Sequence, residues 1–178
     1  MNYKNNWKKG GPVLISDLNS INELNKAEFI EKLGWVYEHS PWIAERSWEY
    51  MPFISVEDLK QKMEVVVQNA SLSEQLQLIK SHPDLAARID MAEASVKEQS
   101  AAGLNSLSPD EYEEFHALNN QYKEKFGFPF IFAVRGSDKT VIKAEMKRRI
   151  GLDQENELKE AIKQIHLIAS HRLSDFIN

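Results

Sequence analysis

His82 is the first residue in this sequence whose type and position suggest chemistry. It directly precedes Pro83, and the residue before a proline is disfavoured in helical geometry, so we expect His82 at a break between two elements. Functional groups are often presented from such irregular segments. Histidine has an unperturbed pKa of about 6.5, which suits proton transfer at neutral pH. The alternative is a surface or helix-ending histidine, since a lone histidine is a weak signal.

Glu98 is the second candidate, and it has a specific structural alternative. Ser95-Val96-Lys97-Glu98 fits a capping box, in which the glutamate at the third helical position reaches back to the serine amide. The start of a helix also offers free amides and positive potential to an anion or a polar ring. Gln99 adds a side-chain amide that both donates and accepts. The sequence leaves helix capping and ligand binding open as roles for this segment.

Arg172, in the last predicted helix, is the third candidate. At about 100° per residue, Arg172 falls on the apolar face of that helix. The face comprises Leu158, Ile162, Ile165, Ala169 and Phe176. A charge on a buried face requires a partner, and a carboxylate suits a guanidinium because two parallel hydrogen bonds can join them. The bound carboxylate of a ligand is one such partner; the alternative is an arginine that extends to solvent or pairs with a protein carboxylate.

Helical patterns dominate the chain that must position these candidates. Apolar spacing, capping residues and prolines predict helices over 27–37, 41–51, 55–69, 73–81, 108–126, 139–150 and 155–177, and one more that opens at Ser95. The apolar segment from Phe128 to Val134 contains a proline and lies between Gly127 and Gly136, which favours an extended buried segment. With no second convincing strand, we expect an all-α fold, a single compact multi-helix domain with one extended buried segment near Phe128 to Val134.

Composition narrows the function classes. The length of 178 residues suits one domain with a sizeable core, predicted as a flexible tail over 1–12 and a helical domain over 13–178. A net charge of −5 gives no electrostatic reason to bind nucleic acid or an anionic membrane. The absence of cysteine excludes disulfides and thiolate metal sites and is compatible with the cytoplasm. Without a ligand cluster, a Walker loop or a dinucleotide motif, we expect neither a metal site nor a nucleotide cofactor.

Three motifs occur in order along the chain, and together they are far more specific than any one alone. They are Ser81-His82-Pro83-Asp84-Leu85-Ala86, Glu98-Gln99-Ser100-Ala101-Ala102-Gly103-Leu104 and Lys125-Phe126-Gly127-Phe128-Pro129-Phe130-Ile131. Glu45-Arg46 and Arg172-Leu173 also fit. With these motifs the chain resembles the OHCU decarboxylase family, which acts on 2-oxo-4-hydroxy-4-carboxy-5-ureidoimidazoline (OHCU). The resemblance covers nearly the whole chain after the tail.

The resemblance implies an all-α enzyme, commonly a homodimer, that converts OHCU to (S)-allantoin and CO2 in urate breakdown without a cofactor. It implies that His82 is the catalytic acid or base, and we assign Glu98 as a second catalytic candidate. The implied substrate-binding residues are Pro83, Ser95, Val96, Lys97, Glu98, Gln99, Phe130, Ile131, Phe132, Ala133, Val134 and Arg172. A functional or covalent association with urate oxidase is also implied.

The chemistry of this substrate explains how the reaction would proceed without a cofactor. Hydroxyl and carboxylate share one ring carbon beside a carbon–nitrogen double bond, so loss of CO2 pushes electrons into that bond. The resulting enol then needs a proton on one face, which calls for positioning and acid–base catalysis. Two other functions stay open at this point: a non-catalytic helical interaction module, and a metal-dependent hydrolase that a chelator would inactivate.

Overall fold

The computed structural model describes residues 17–85 and 107–177. Across these two ranges the chain forms eight α-helices and a short 3-10 helix, with no strand element, which confirms the all-α prediction. None of the helices described there is both long and apolar enough to span a membrane. The predicted tail over 1–12 and the predicted helix at Ser95 lie outside the described residues.

The helices follow one another in a simple order. They are α1 (Leu18–Asn22), α2 (Lys26–Leu33), α3 (Trp42–Ser47), the 3-10 helix (Trp48–Tyr50), α4 (Val56–Gln68), α5 (Leu72–Lys80), α6 (Pro109–Phe126), α7 (Lys139–Ile150) and α8 (Gln154–Phe176). Backbone contacts divide the chain into two compact units. Unit 1 is the described part of Met1–Ala70 together with Ala169–Asn178, and unit 2 is the described part of Ser71–Ile168.

In unit 1, α2 packs against α3 and α3 packs against α4. A reciprocal capping box between Asn25 and Glu28 starts α2. The helix ends at Leu33, so the predicted helix over 27–37 is too long at its C-terminal end. Its C-cap is Gly34, where an added Cβ would lie 3.1 Å from the Cβ of Pro41. The chain therefore turns at a glycine that allows a close approach of the next segment.

Two further sequence predictions in unit 1 need correction. The predicted helix over 41–51 is α3 followed by a separate 3-10 helix, because the backbone tightens after Ser47. The helix α1 was not predicted; it has five residues, and only Ile21 among them is buried, so it has no apolar periodicity to detect. The predicted start at Ser55 is confirmed, since its side chain accepts a hydrogen bond from the amide of Asp58.

In unit 2, α6 has the boundaries that its sequence predicts. Ser108 and Glu111 form a capping box, Pro109 occupies the first turn, and Gly127 ends the helix in the left-handed region with φ 73°. Helix α6 packs against α7. The buried face of α6 presents Phe115 and Tyr122 to the core of the unit.

The segment that follows α6 has neither helix nor strand over 128–134, as predicted. Phe128, Phe130 and Ile131 within it are buried. The ring of Tyr122 contacts Phe128 and Phe130 edge to face, with centroids 6.0 and 5.2 Å apart. Aromatic packing therefore fixes an irregular backbone segment in the interior of unit 2.

Candidate functional site

His82 lies where the sequence predicts, at a break after a helix. Helix α5 ends at Lys80, and the amide of His82 donates a last hydrogen bond of 3.1 Å to the carbonyl of Ile79. Only 6% of the residue is exposed, so His82 is not a surface histidine, but it does follow directly on the end of a helix, as the second alternative held. The imidazole is held inside unit 2 by the end of α5.

One nitrogen of the His82 ring has a defined role. Nδ1 lies 2.9 Å from the carbonyl oxygen of Leu78, in the last turn of α5. Because a carbonyl oxygen can only accept, Nδ1 carries the hydrogen of this bond. In the neutral ring Nε2 then has the lone pair and is the nitrogen able to take a proton. A general base needs a ring that is held in place, and the bond to Leu78 supplies that support.

A small pocket lies against His82, and apart from His82 the described residues of unit 2 that line it are apolar. Its cavity volume is about 10 Å³, roughly enough for one water molecule, and it opens to solvent. The lining residues are His82, Pro83, Leu85, Phe130, Ile131, Phe132 and Ile168. The structure thus brings together His82, Pro83 and the first three residues of the predicted 130–134 segment. The pocket therefore places a titratable ring against apolar side chains.

The predicted substrate-binding residues and the described lining of this pocket overlap only in part. Ala133 and Val134 are not among its lining residues, although the amide of Ala133 is bound by Gln164 at 3.0 Å. Leu85 and Ile168 line the pocket but were not predicted to do so. Leu85 stands inside the first quoted motif, so the motif itself was a usable signal. Ile168 is distant in sequence, and only the three-dimensional packing reveals it.

A buried ionic cluster supports the pocket wall that Phe130, Ile131 and Phe132 form. Arg149 and Glu157 are both fully buried and form a salt bridge, and the hydroxyl of Tyr122 donates to the same carboxylate. Nη1 of Arg149 donates a 2.6 Å hydrogen bond to the carbonyl of Ile131, and its guanidinium lies 4.5 Å from the ring centroid of Phe130. Burial raises the pKa of Tyr122 well above its usual range, so its hydroxyl stays a donor.

The sequence analysis missed this cluster, although a signal was available. Ile142, Met146 and Arg149 follow the i, i+4, i+7 spacing of one helix face, and all three are buried on α7. An arginine on that stripe required a buried partner. Glu157, in the first turn of α8, supplies it.

Arg172 is described within unit 1, where it has protein partners. Its Nη2 lies 2.6 Å from a carboxylate oxygen of Glu38, and its Nη1 donates to the carbonyls of Trp35 and Val36 at 3.4 and 3.0 Å. Both charged side chains keep a quarter of their exposure. Pairing with a protein carboxylate, the alternative raised from the sequence, is therefore present. The substrate-binding role of Arg172 stays a prediction.

The remaining predicted residues are Ser95, Val96, Lys97, Glu98 and Gln99, which lie outside the described residues. Over 17–85 and 107–177 no group of three histidine, aspartate or glutamate side chains is arranged to hold a metal ion.

Known proteins resemble this chain over most of its length. The model of the OHCU decarboxylase family matches residues 22–174. The 2-oxo-4-hydroxy-4-carboxy-5-ureidoimidazoline decarboxylase of Haloferax volcanii is 43% identical over 158 residues, which cover 89% of this chain and 94% of that protein. The uric acid degradation bifunctional protein of Bacillus subtilis is 42% identical over 160 residues, which cover 90% of this chain and 32% of that protein.

A solved structure supports the same relationship. The crystal structure of an (S)-allantoin synthase superimposes with a TM-score of 0.77 at 30% identity, covering 90% of this chain and 54% of that one. A family match over most of the residues, relatives above 40% identity and a shared fold agree with the motifs around His82 and Phe130. The chain belongs to the OHCU decarboxylase family.

Proposed function

We propose that this chain decarboxylates OHCU to (S)-allantoin and CO2 in the breakdown of urate. The observation that carries the proposal is the His82 imidazole, fixed through Nδ1 on the wall of an apolar pocket. Membership of the OHCU decarboxylase family supports the choice of substrate.

The reaction consumes one proton and requires control of where it is delivered. The bond between the ring carbon and the carboxylate breaks, and its electron pair forms a double bond to the neighbouring ring carbon. The π electrons of the carbon–nitrogen double bond move onto the nitrogen, which takes up a proton. The enol then loses its hydroxyl proton while the neighbouring ring carbon gains one, which sets the (S) configuration. We assign these transfers to Nε2 of His82, whose other nitrogen is occupied by the carbonyl of Leu78.

The apolar walls of the pocket contribute to the loss of CO2. Phe130, Ile131, Phe132 and Ile168 cannot hydrate a carboxylate as water does. The negative charge is localised on the carboxylate in the bound substrate and spreads over the ring as CO2 leaves. An apolar wall therefore favours the transition state over the ground state.

The other substrate contacts rest on the family resemblance. Pro83 and the 130–134 segment are proposed to line the substrate, and Glu98 is proposed as the second catalytic residue within the 95–99 segment. Arg172 is proposed to orient the carboxylate without holding it tightly, since strong binding of the group that departs would stabilise the ground state.

We further propose that the protein acts in the cytoplasm as a homodimer without metal or organic cofactor. Association with urate oxidase also remains part of the proposal, and it is supported by a relative named a uric acid degradation bifunctional protein. Light scattering of the purified chain measures the oligomeric state, and a monomeric mass would overturn the homodimer.

Circular dichroism of the product tests the proposed activity. OHCU is generated fresh, the protein is added, and the dichroism signal of allantoin is followed against the slow spontaneous reaction. We expect rapid appearance of the (S) enantiomer in proportion to protein concentration. A rate equal to that of heat-denatured protein would contradict the proposal and favour a non-catalytic helical module.

The same assay after exhaustive treatment with a metal chelator tests cofactor independence. We expect full activity, because the double bond of the substrate accepts the electrons released with CO2. Activity that disappears with chelator and returns with a divalent ion would instead indicate metal-dependent chemistry.

A further inference from the structure

The pocket wall beside His82 is irregular backbone, so its position depends on side chains that bind it. A strand would be held by its neighbours through a ladder of backbone hydrogen bonds, but no strand element includes residues 130–134. Instead Arg149 donates a hydrogen bond of 2.6 Å to the carbonyl of Ile131, and the side-chain oxygen of Gln164 accepts one of 3.0 Å from the amide of Ala133. Two side chains therefore fix the peptide groups on either side of Phe132, which lines the pocket.

Gln164 is oriented so that only its oxygen can meet Ala133. The residue is 7% exposed, and its Nε2 donates a 3.0 Å hydrogen bond to Glu160 one turn earlier on α8. Because a carboxylate accepts and cannot donate, this bond fixes which end of the amide faces the wall. The order Glu160, Gln164, Ala133 is then a short hydrogen-bonded chain ending on the pocket segment.

Gln164 also belongs to the helix face that supports the pocket. At about 100° per residue, Glu157, Ala161, Gln164 and Ile168 fall within about 60° of one another on α8. Glu157 binds Arg149, Gln164 binds Ala133, and Ile168 lines the pocket itself. One face of a single helix thus holds the wall at successive points.

We propose that Gln164 is a positioning residue of the decarboxylase, which sets the distance between the Phe130–Phe132 wall and the imidazole of His82. It is not among the described residues that line the pocket, and it acts through the amide of Ala133. This inference rests on the proposed function for its effect on turnover, whereas its effect on the wall is independent of any activity. Misplacing groups that contact a substrate by about 1 Å can reduce rates about 100-fold.

The experiment compares three variants by two measurements. Gln164→Met keeps the length of the side chain but has no oxygen for Ala133. Glu160→Gln is the matched control, since it changes the partner of Nε2 and keeps the bond to Ala133. Glu160→Gln/Gln164→Glu reverses the pair with unchanged net charge, so that residue 160 donates and residue 164 still accepts from Ala133.

The first measurement is hydrogen exchange of the Ala133 amide by NMR, which needs no substrate. We expect exchange at least tenfold faster in Gln164→Met and near wild-type protection in the control and the reversed pair. The second is kcat and KM with OHCU. We expect kcat to fall at least tenfold in Gln164→Met with a smaller change in KM, and the reversed pair to recover most of it.

These outcomes test the positioning role of Gln164 separately from the proposed decarboxylase activity. Unchanged exchange in Gln164→Met, or faster exchange with wild-type kcat, would overturn the positioning role. A loss that the reversed pair does not recover would also overturn it, because loss of packing alone would then be sufficient. Wild-type protein without activity would contradict the proposed function, and the exchange data would still decide whether Gln164 holds the wall.

Discussion

Arg149 and Arg172 both carry a guanidinium away from open solvent, but their surroundings differ. Arg149 is fully buried, and its hydrogen bonds join Glu157 and the carbonyl of Ile131 inside unit 2. Arg172 keeps a quarter of its exposure in unit 1 and shares that property with its partner Glu38. A fully buried charge is bound to its structural partners and stabilises the fold. A partly exposed charge can instead exchange its protein partner for water or a ligand.

The largest loss of unfolding free energy is expected from Arg149→Met. Removing the guanidinium leaves the carboxylate of Glu157 buried without its cation, which costs about 3–5 kcal/mol of unfolding free energy. Urea denaturation measures the loss. The double variant Arg149→Met/Glu157→Met is the control, because it removes both charges and should be more stable than the single variant. A single variant as stable as wild type would show that the cluster is not structural.

A smaller effect on stability is expected from Arg172→Met. The pair with Glu38 is partly exposed and screened, so its loss together with the two carbonyl contacts costs about 1–2 kcal/mol. Glu38→Gln is the matched variant, since it removes the same ion pair and keeps the arginine. If Arg172 orients the substrate, Arg172→Met loses kcat/KM and Glu38→Gln does not. Arg172→Lys keeps the charge but loses the two-pronged contact, so we expect it to weaken productive binding. Equal kinetics in Arg172→Met and Glu38→Gln would restrict Arg172 to a structural role.

The smallest expected change in stability is a pH dependence that arises from His166. Like Arg149, this residue is buried in unit 2, but it is neutral. Burial lowers the pKa of His166 from about 6.5 to about 4. The unfolded chain therefore takes up a proton more readily, so the stabilisation present above pH 6.5 is lost as the pH falls towards 4. Between pH 7 and pH 6 we expect a loss below about 1 kcal/mol. Urea titrations of wild type and His166→Leu measure it, and identical slopes would contradict the shifted pKa.

The sequence predicts helix boundaries well where capping residues stand at the helix ends. Ser108, Glu111 and Gly127 define α6 locally, and its boundaries agree with the prediction. The end of α2 was misplaced because apolar residues continue to Tyr37, while the chain turns at Gly34 to approach Pro41. Local sequence patterns indicate capping residues, but they do not indicate which distant residue the chain packs against.

The candidate site shows the same division. His82 and the 130–132 segment were found because a proline and a motif mark them in the sequence. Gln164 and Ile168 were missed because their roles come from contacts across 31 residues or more, which no local spacing encodes. The buried arginine was sought on α8, whereas a fully buried arginine within the described ranges lies on α7.

Turnover of His82→Asn tests most directly the claim that the chemistry occurs in the pocket beside His82. Asparagine can still donate to the carbonyl of Leu78 but cannot titrate, so the fold should survive while acid–base catalysis is lost. His39→Asn is the matched control, because His39 is exposed and its positive φ of 47° suits asparagine. We expect kcat for OHCU to fall about 100-fold or more in His82→Asn and to stay unchanged in His39→Asn. A folded His82→Asn protein that produces (S)-allantoin at the wild-type rate would contradict the account.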